Sequence, residues 1–163
     1  MRRRLTAIAL TLGTAALPLT TTGPTAPDLT TTAAASARDF IEIRSDMHDK
    51  CLASNGDNVE MQTCSRHGNQ FWFWNGRTLV NAAENHCLDV RNGEINAPAQ
   101  VVGDCHGNAN QRWTYHPDNH ELVSDVNPQC LSIQNNGERR DGAGINMRQC
   151  TRANWQTWRI THI

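Results

Sequence analysis

The chain predicts an all-β fold built from three copies of one module, and three observations carry that prediction. First, the order Cys-Leu, second Cys, Gln-x-Trp is spelled at Cys51-Leu52, Cys64 and Gln70-Phe71-Trp72, and again at Cys87-Leu88, Cys105 and Gln111-Arg112-Trp113. It returns a third time at Cys130-Leu131, Cys150 and Gln156-Thr157-Trp158. Second, the step from the second cysteine is always 6 residues to the Gln and 8 to the Trp, whereas the step between cysteines runs 13, 18 and 20. Fixed ends around an elastic middle mark a repeated structural module with a loop that accepts insertions. Third, no stretch sustains a 3.6-residue hydrophobic period, while short β-prone runs alternate with Gly, Asn and Asp turns.

Taken along the chain, residues 1–37 read as a secretory signal. Arg2, Arg3 and Arg4 give a basic start, Leu5 to Leu19 is a mostly apolar run, and Ala35-Ser36-Ala37 offers a small-x-small cleavage site. That run of about 15 residues is too short to cross a hydrocarbon core, which takes about 20. Export implies a secreted, extracellular protein. The remainder, 38–163, fits one domain. With Arg2, Arg3, Arg4 and Asp28 set aside, 12 basic residues face 15 acidic ones, a net charge of −3, and Lys50 is the only lysine. Such a surface argues against nucleic acid and anionic membranes as partners, since both demand clustered positive charge.

Each repeat opens on a β-prone stretch: Phe40-Ile41-Glu42-Ile43, Thr78-Leu79-Val80 and Glu121-Leu122-Val123. A small polar residue follows 6 positions before each first cysteine, at Ser45, Asn81 and Ser124. The next strands begin at the cysteines, as Cys87-Leu88-Asp89-Val90 and Cys130-Leu131-Ser132-Ile133, and their partners are Val59-Glu60-Met61-Gln62 and Ile145-Asn146-Met147-Arg148. Asn55-Gly56-Asp57, Asn92-Gly93, Asn136-Gly137 and Asp141-Gly142 supply the turns. About four strands in each of three repeats gives about twelve in a closed or nearly closed body. The Gln-x-Trp element places both side chains on one face of a strand, so that Trp72, Trp113 and Trp158 meet in the core while the amides satisfy backbone groups.

Six cysteines allow 15 pairings, and the internal symmetry selects Cys51-Cys64, Cys87-Cys105 and Cys130-Cys150. Metal binding is not expected: thiolate sites favour Cys-x-x-Cys spacing, which is absent, and His116 and His120 fall in a turn. No cofactor is expected either. Catalysis finds no foothold in Gly-x-Ser-x-Gly, His-Glu-x-x-His or a paired acidic motif.

Three repeats of about forty residues with Cys-Leu, a second Cys and a closing Gln-x-Trp resemble the ricin B-type lectins and the trefoil carbohydrate-binding modules of bacterial glycoside hydrolases. The resemblance implies a β-trefoil with pseudo-threefold symmetry, its repeats covering about 38–77, 78–119 and 120–163. It also implies one shallow sugar pocket per repeat, formed by an acid after Cys-Leu, an aromatic platform near the second Cys, and the Asn-Gln before Trp. A carboxylate accepts bonds from neighbouring sugar hydroxyls, an amide both donates and accepts, and a ring covers the apolar C–H face.

Carried over residue by residue, the second repeat alone keeps the acid, Asp89, with Asn110 and Gln111, and with His106 and Asn92 as further candidates. Its platform is missing at Gly103. The first repeat has Asn69-Gln70 but Ala53 and Gln62; the third has Ser132, Arg148 and Trp155-Gln156. The expected function is therefore weak binding of a carbohydrate, either a galactose-type sugar or a plant or bacterial polysaccharide, through the second repeat. The alternative is a trefoil with decayed pockets that binds another secreted protein, for which the charged loop Gly137-Glu138-Arg139-Arg140-Asp141 is the surface.

Overall fold

Short β-prone runs cut by Gly and Asn cannot grow into long elements, and the computed structural model, which describes residues 38–163, shows twelve short strands. The signal-like segment 1–37 lies outside the described residues. In the first repeat the strands are β1 (Ile41–Ser45), β2 (Cys51–Asn55), β3 (Asn58–Gln62) and β4 (Phe71–Asn75). The second contributes β5 (Thr78–Asn81), β6 (Cys87–Val90), β7 (Ala99–Val102) and β8 (Trp113–His116). The third contributes β9 (Glu121–Ser124), β10 (Cys130–Ile133), β11 (Ala143–Arg148) and β12 (Trp158–His162). The two-residue turns Gly56-Asp57 and Gly76-Arg77 each begin on a glycine with φ near +60° (+58° and +60°), a conformation in which a Cβ is strained.

The outer strands of the repeats close a barrel. β1 runs antiparallel to β12 along five residue pairs and also meets β4, β4 pairs with β5, and β8 pairs with β9. The two remaining seams are held by the Trp113 N–H donating to the Arg77 carbonyl (2.9 Å) and the Trp158 N–H to the His120 carbonyl (2.8 Å). The middle strands form three hairpins, β2–β3, β6–β7 and β10–β11, which lean on one another. Asn58 of β3 pairs with Gln100 of β7, Ala143 of β11 pairs with Met61 of β3, and Pro98 bridges Asn146. This is the β-trefoil expected from the sequence, and among the described residues no helix is long and apolar enough to cross a membrane.

The core is threefold as well. Trp72, Trp113 and Trp158 are at most 1% exposed and pack with Ile41, Ile43, Leu52, Leu88 and Leu131. Each indole Nε1 donates to the carbonyl of the leucine after the first cysteine of its own repeat: Trp72 to Leu52 (3.0 Å), Trp113 to Leu88 (2.9 Å) and Trp158 to Leu131 (3.1 Å). A ring that must be buried thus also ties its barrel strand to the hairpin strand. Disulfides join Cys51 to Cys64, Cys87 to Cys105 and Cys130 to Cys150 within the repeats.

One expectation needs correction. Gln and Trp do not share a strand: the glutamines close single 3-10 turns, Gly68–Gln70, Ala109–Gln111 and Asn154–Gln156, just before the strands. The reason lies in what the amide must reach. Its Nε2 donates to the carbonyl before the second cysteine, in Thr63 (2.9 Å), Asp104 (2.8 Å) and Gln149 (2.8 Å). Its Oε1 accepts from N–H groups just beyond that cysteine, in Ser65 (2.8 Å), Gly107 (3.0 Å) and Thr151 (2.9 Å). The invariant 6-residue spacing is the span of that clamp.

Candidate functional site

The hairpin register defines which residues are equivalent in the three repeats. Opposite one another stand Ala53 and Glu60 in the first, Asp89 and Gln100 in the second, and Ser132 and Asn146 in the third. Two residues back along each hairpin, the residues facing the first cysteines are Gln62, Val102 and Arg148. The residue before the clamp glutamine is Asn69, Asn110 or Trp155.

In the second repeat these positions converge. Asp89, only 3% exposed at the centre of β6, accepts from Gln100 Nε2 (3.0 Å) on one oxygen, and from Asn110 Nδ2 (2.7 Å) and Gln111 Nε2 (3.1 Å) on the other. Arg91 Nε in turn donates to Gln100 Oε1 (2.9 Å). Burying a carboxylate is costly unless donors replace its water, and three amides do so here. Asp89 is therefore less an open hydroxyl acceptor than a buried anchor that fixes two half-buried amides, Gln100 and Asn110, at the surface. Gln100 escaped the sequence reading because the elastic stretch between cysteines hides its position; only strand pairing brings it opposite Asp89.

The other expected residues stand apart. Asn92 lies in a turn at φ +55° with its amide 3.5 Å from Glu94, and the His106 ring accepts from the Asn108 N–H through Nδ1 (3.0 Å). Neither bonds to the Asp89 cluster among the described residues. Gln111 joins Asp89 to the clamp and is fully buried. The platform position also moves: Val102, not Gly103, faces Cys87, because this repeat holds one more residue between strand and second cysteine than the others.

The flanking repeats differ in ways the sequence comparison did not show. In the first, the carboxylate has crossed the strand pair to Glu60, where it accepts from Gln62 (2.9 Å) and Asn55 (3.3 Å). In the third, a hollow of about 620 Å³ is lined by Asn96, Ser132, Asn135, Asn136, Arg148 and Trp155, among others. The charged loop does expose Arg139, Arg140 and Asp141, as expected of a tip, but its charges are tied down. Glu138 pairs with Arg140, and Asp141 accepts from Lys50 (2.6 Å) and from the Thr63 N–H (2.9 Å) in the first repeat. His120 pairs with Asp46 (2.8 Å), while His116 lines a separate hollow. Among the described residues one group has metal-ligating atoms close together, Glu121, Cys130 and Cys150, and there both sulfurs are in a disulfide with no thiolate to offer.

Comparison with known proteins agrees with this architecture. The model of the family described as "Ricin-type beta-trefoil lectin domain" matches residues 32–113 and 77–162. No curated protein matches the chain by sequence. Among solved structures, the designed threefold-symmetric protein ThreeFoil superposes with TM-score 0.67 at 23% identity, over 76% of this chain and 99% of that one. The C-half of the earthworm R-type lectin in complex with GalNAc gives 0.66 at 14% identity, over 77% and 99%. The ricin B-like lectin of Macrolepiota procera in complex with lactose gives 0.62 at 18% identity, over 77% and 96%. Four further matched structures belong to longer chains, of which this chain spans 22% to 48%.

Proposed function

Because this chain belongs to the ricin-type β-trefoil lectin family, we propose that it is a secreted carbohydrate-binding module, without catalytic role, whose second repeat holds the sugar. The observation that carries the reading is the Asp89 cluster: of the three repeats, only the second joins acid, Gln100 amide and Asn110 amide into one bonded group. With one N–H of each amide committed to the carboxylate and Gln100 Oε1 engaged by Arg91, the second N–H of each amide and the Asn110 oxygen are pre-oriented to donate to and accept from vicinal hydroxyls. The GalNAc and lactose complexes of the two lectins compared above make galactose-type sugars the first to try, and plant and bacterial polysaccharides the next.

Affinity is expected to be weak. Each exchanged hydrogen bond is worth on the order of 1 kcal/mol net, Val102 offers no ring to stack on, and millimolar binding already takes about 4 kcal/mol. A single site for neutral sugars also gives them no avidity within the chain. Titration calorimetry with galactose, lactose and N-acetylgalactosamine, followed by a broad glycan panel, tests this. Millimolar binding that is lost in Asn110→Ala supports the proposal; micromolar binding of a monosaccharide, or binding indifferent to that substitution, overturns it. Asn110 is the better probe, since Asp89→Ala also takes the shared acceptor from three amides, Gln111 among them fully buried, and is expected to cost about 1–3 kcal/mol of stability.

One observation favours a second reading, a trefoil that binds another secreted protein. Ile95, in the loop between β6 and β7, is 68% exposed, a large apolar side chain at a tip. Retention of a protein partner that Ile95→Ser abolishes, together with no response to any glycan, would establish it instead.

A further inference from the structure

We propose that the hollow of the third repeat is a second binding site with inverted charge, built to take the carboxylate of an acidic sugar such as a uronate. At the positions where the second repeat has Asp89, Gln100, Val102 and Asn110, the third has Ser132, Asn146, Arg148 and Trp155. The anion has been removed and a cation added within the same frame. None of the residues lining the hollow is Asp or Glu, and among the described residues no carboxylate pairs with Arg148. One acid, Glu138, touches the lining residue Asn135 (3.2 Å), but it is already neutralised by Arg140.

The guanidinium is also held in place. With the buried Asn146 amide oriented so that both its polar atoms are satisfied, its oxygen accepts from Arg148 Nε (3.0 Å) and Nη2 (3.1 Å), and its nitrogen donates to the Ser132 carbonyl (3.2 Å). One edge of the planar fork is thereby fixed, and the Nη1–Nη2 edge keeps its donors for a ligand. Two parallel N–H donors on a rigid plane match the two oxygens of a carboxylate, and they discriminate against a neutral hydroxyl pair. Trp155 forms an apolar wall beside them, half-buried and backed by Gly137. Unlike the three core indoles, its Nε1 has no acceptor among the described residues, so the ring offers both a face for sugar C–H groups and a free donor. Asn135 and Asn136, both at φ +53°, border the opening with further amides.

The test is an NMR titration of the purified, oxidised protein with galacturonate, glucuronate, a sulfated galactose and neutral galactose, read at the Trp155 indole N–H. Uronates are expected to shift that resonance with a dependence on ionic strength, and Arg148→Ala to weaken the response at least tenfold, with Arg148→Lys in between. Asp89→Asn and Asn110→Ala should leave it unchanged, so that failure here and failure of the second-repeat site are read separately. The proposal is overturned if galactose shifts Trp155 as strongly as the uronates do, or if Arg148→Ala retains the uronate response. A response to the sulfated sugar alone would likewise sink the carboxylate assignment.

Discussion

At the scale of single residues, the molecule is governed by polar atoms that must find partners once buried. Trp113→Phe keeps most of the ring but orphans the Leu88 carbonyl, and urea unfolding is expected to show a loss of about 1–3 kcal/mol from that group alone. His48 is the converse case, since both of its ring nitrogens are buried without a partner. Burial first, and then the charges of Lys50 and Arg139, push its pKa below the ordinary histidine value of 6.5. A histidine whose folded pKa is depressed contributes fully above the unfolded value, and that contribution is lost as pH falls through the folded one. The His48 imidazole is therefore expected to titrate below 6.5 in an NMR pH series; a midpoint at or above that value would contradict the burial seen here.

At the scale of elements, seams between repeats are pinned by charge as well as by strands. Asp125, just after β9, takes Arg77 from the β4–β5 turn (2.6 Å) and Arg112 from just before β8 (3.1 Å). Burial alone would raise its pKa, but the hydrogen bonds from Arg112 and Arg77 outweigh that and hold it below 3.8. Its contribution is present above the unfolded carboxylate value and disappears as pH falls through the lower folded one. Asp125→Asn should thus cost up to about 1 kcal/mol at neutral pH in urea unfolding, with the gap from wild type closing only in strong acid. The elements themselves were largely legible in the sequence, because Cys-Leu and the Gly and Asn turns mark where hairpins start and fold. What escaped was every relation across a strand pair. Gln100 opposite Asp89, Glu60 opposite Ala53 and Val102 in place of Gly103 all depend on register, which the variable stretch between the cysteines conceals. The third-repeat hollow was missed for a related reason: Ser132, Arg148 and Trp155 read as losses one by one, and only together do they form a different site. The two-residue step of Gln-x-Trp matches strand alternation, yet the clamp imposes a turn there.

At the scale of the whole molecule, pseudo-threefold symmetry is reinforced by contacts that respect no repeat boundary. The third-repeat loop keys onto the first through Asp141 with Lys50, and through Gly137, where an added Cβ would run into the Met47 side chain. The ends of the domain also meet, with the Ile163 N–H donating to the Phe40 carbonyl (3.0 Å). A circular permutant of residues 40–163, with Phe40 and Ile163 joined by a short linker and new ends at the Gly76-Arg77 turn, should fold with the same three disulfides. Peptide mapping of the bridges and the near-ultraviolet signal of the buried tryptophans would check it; scrambled bridges would show that chain order, not side-chain pairing, sets the fold. The same closure has a kinetic side. Of the twelve described strands β1 leaves a ribosome or a translocation pore first, yet the neighbour it borders over its full length, β12, leaves last. Until β12 has emerged the growing chain therefore carries a sticky β-edge, so products truncated before β12 should aggregate where the chain that includes it does not.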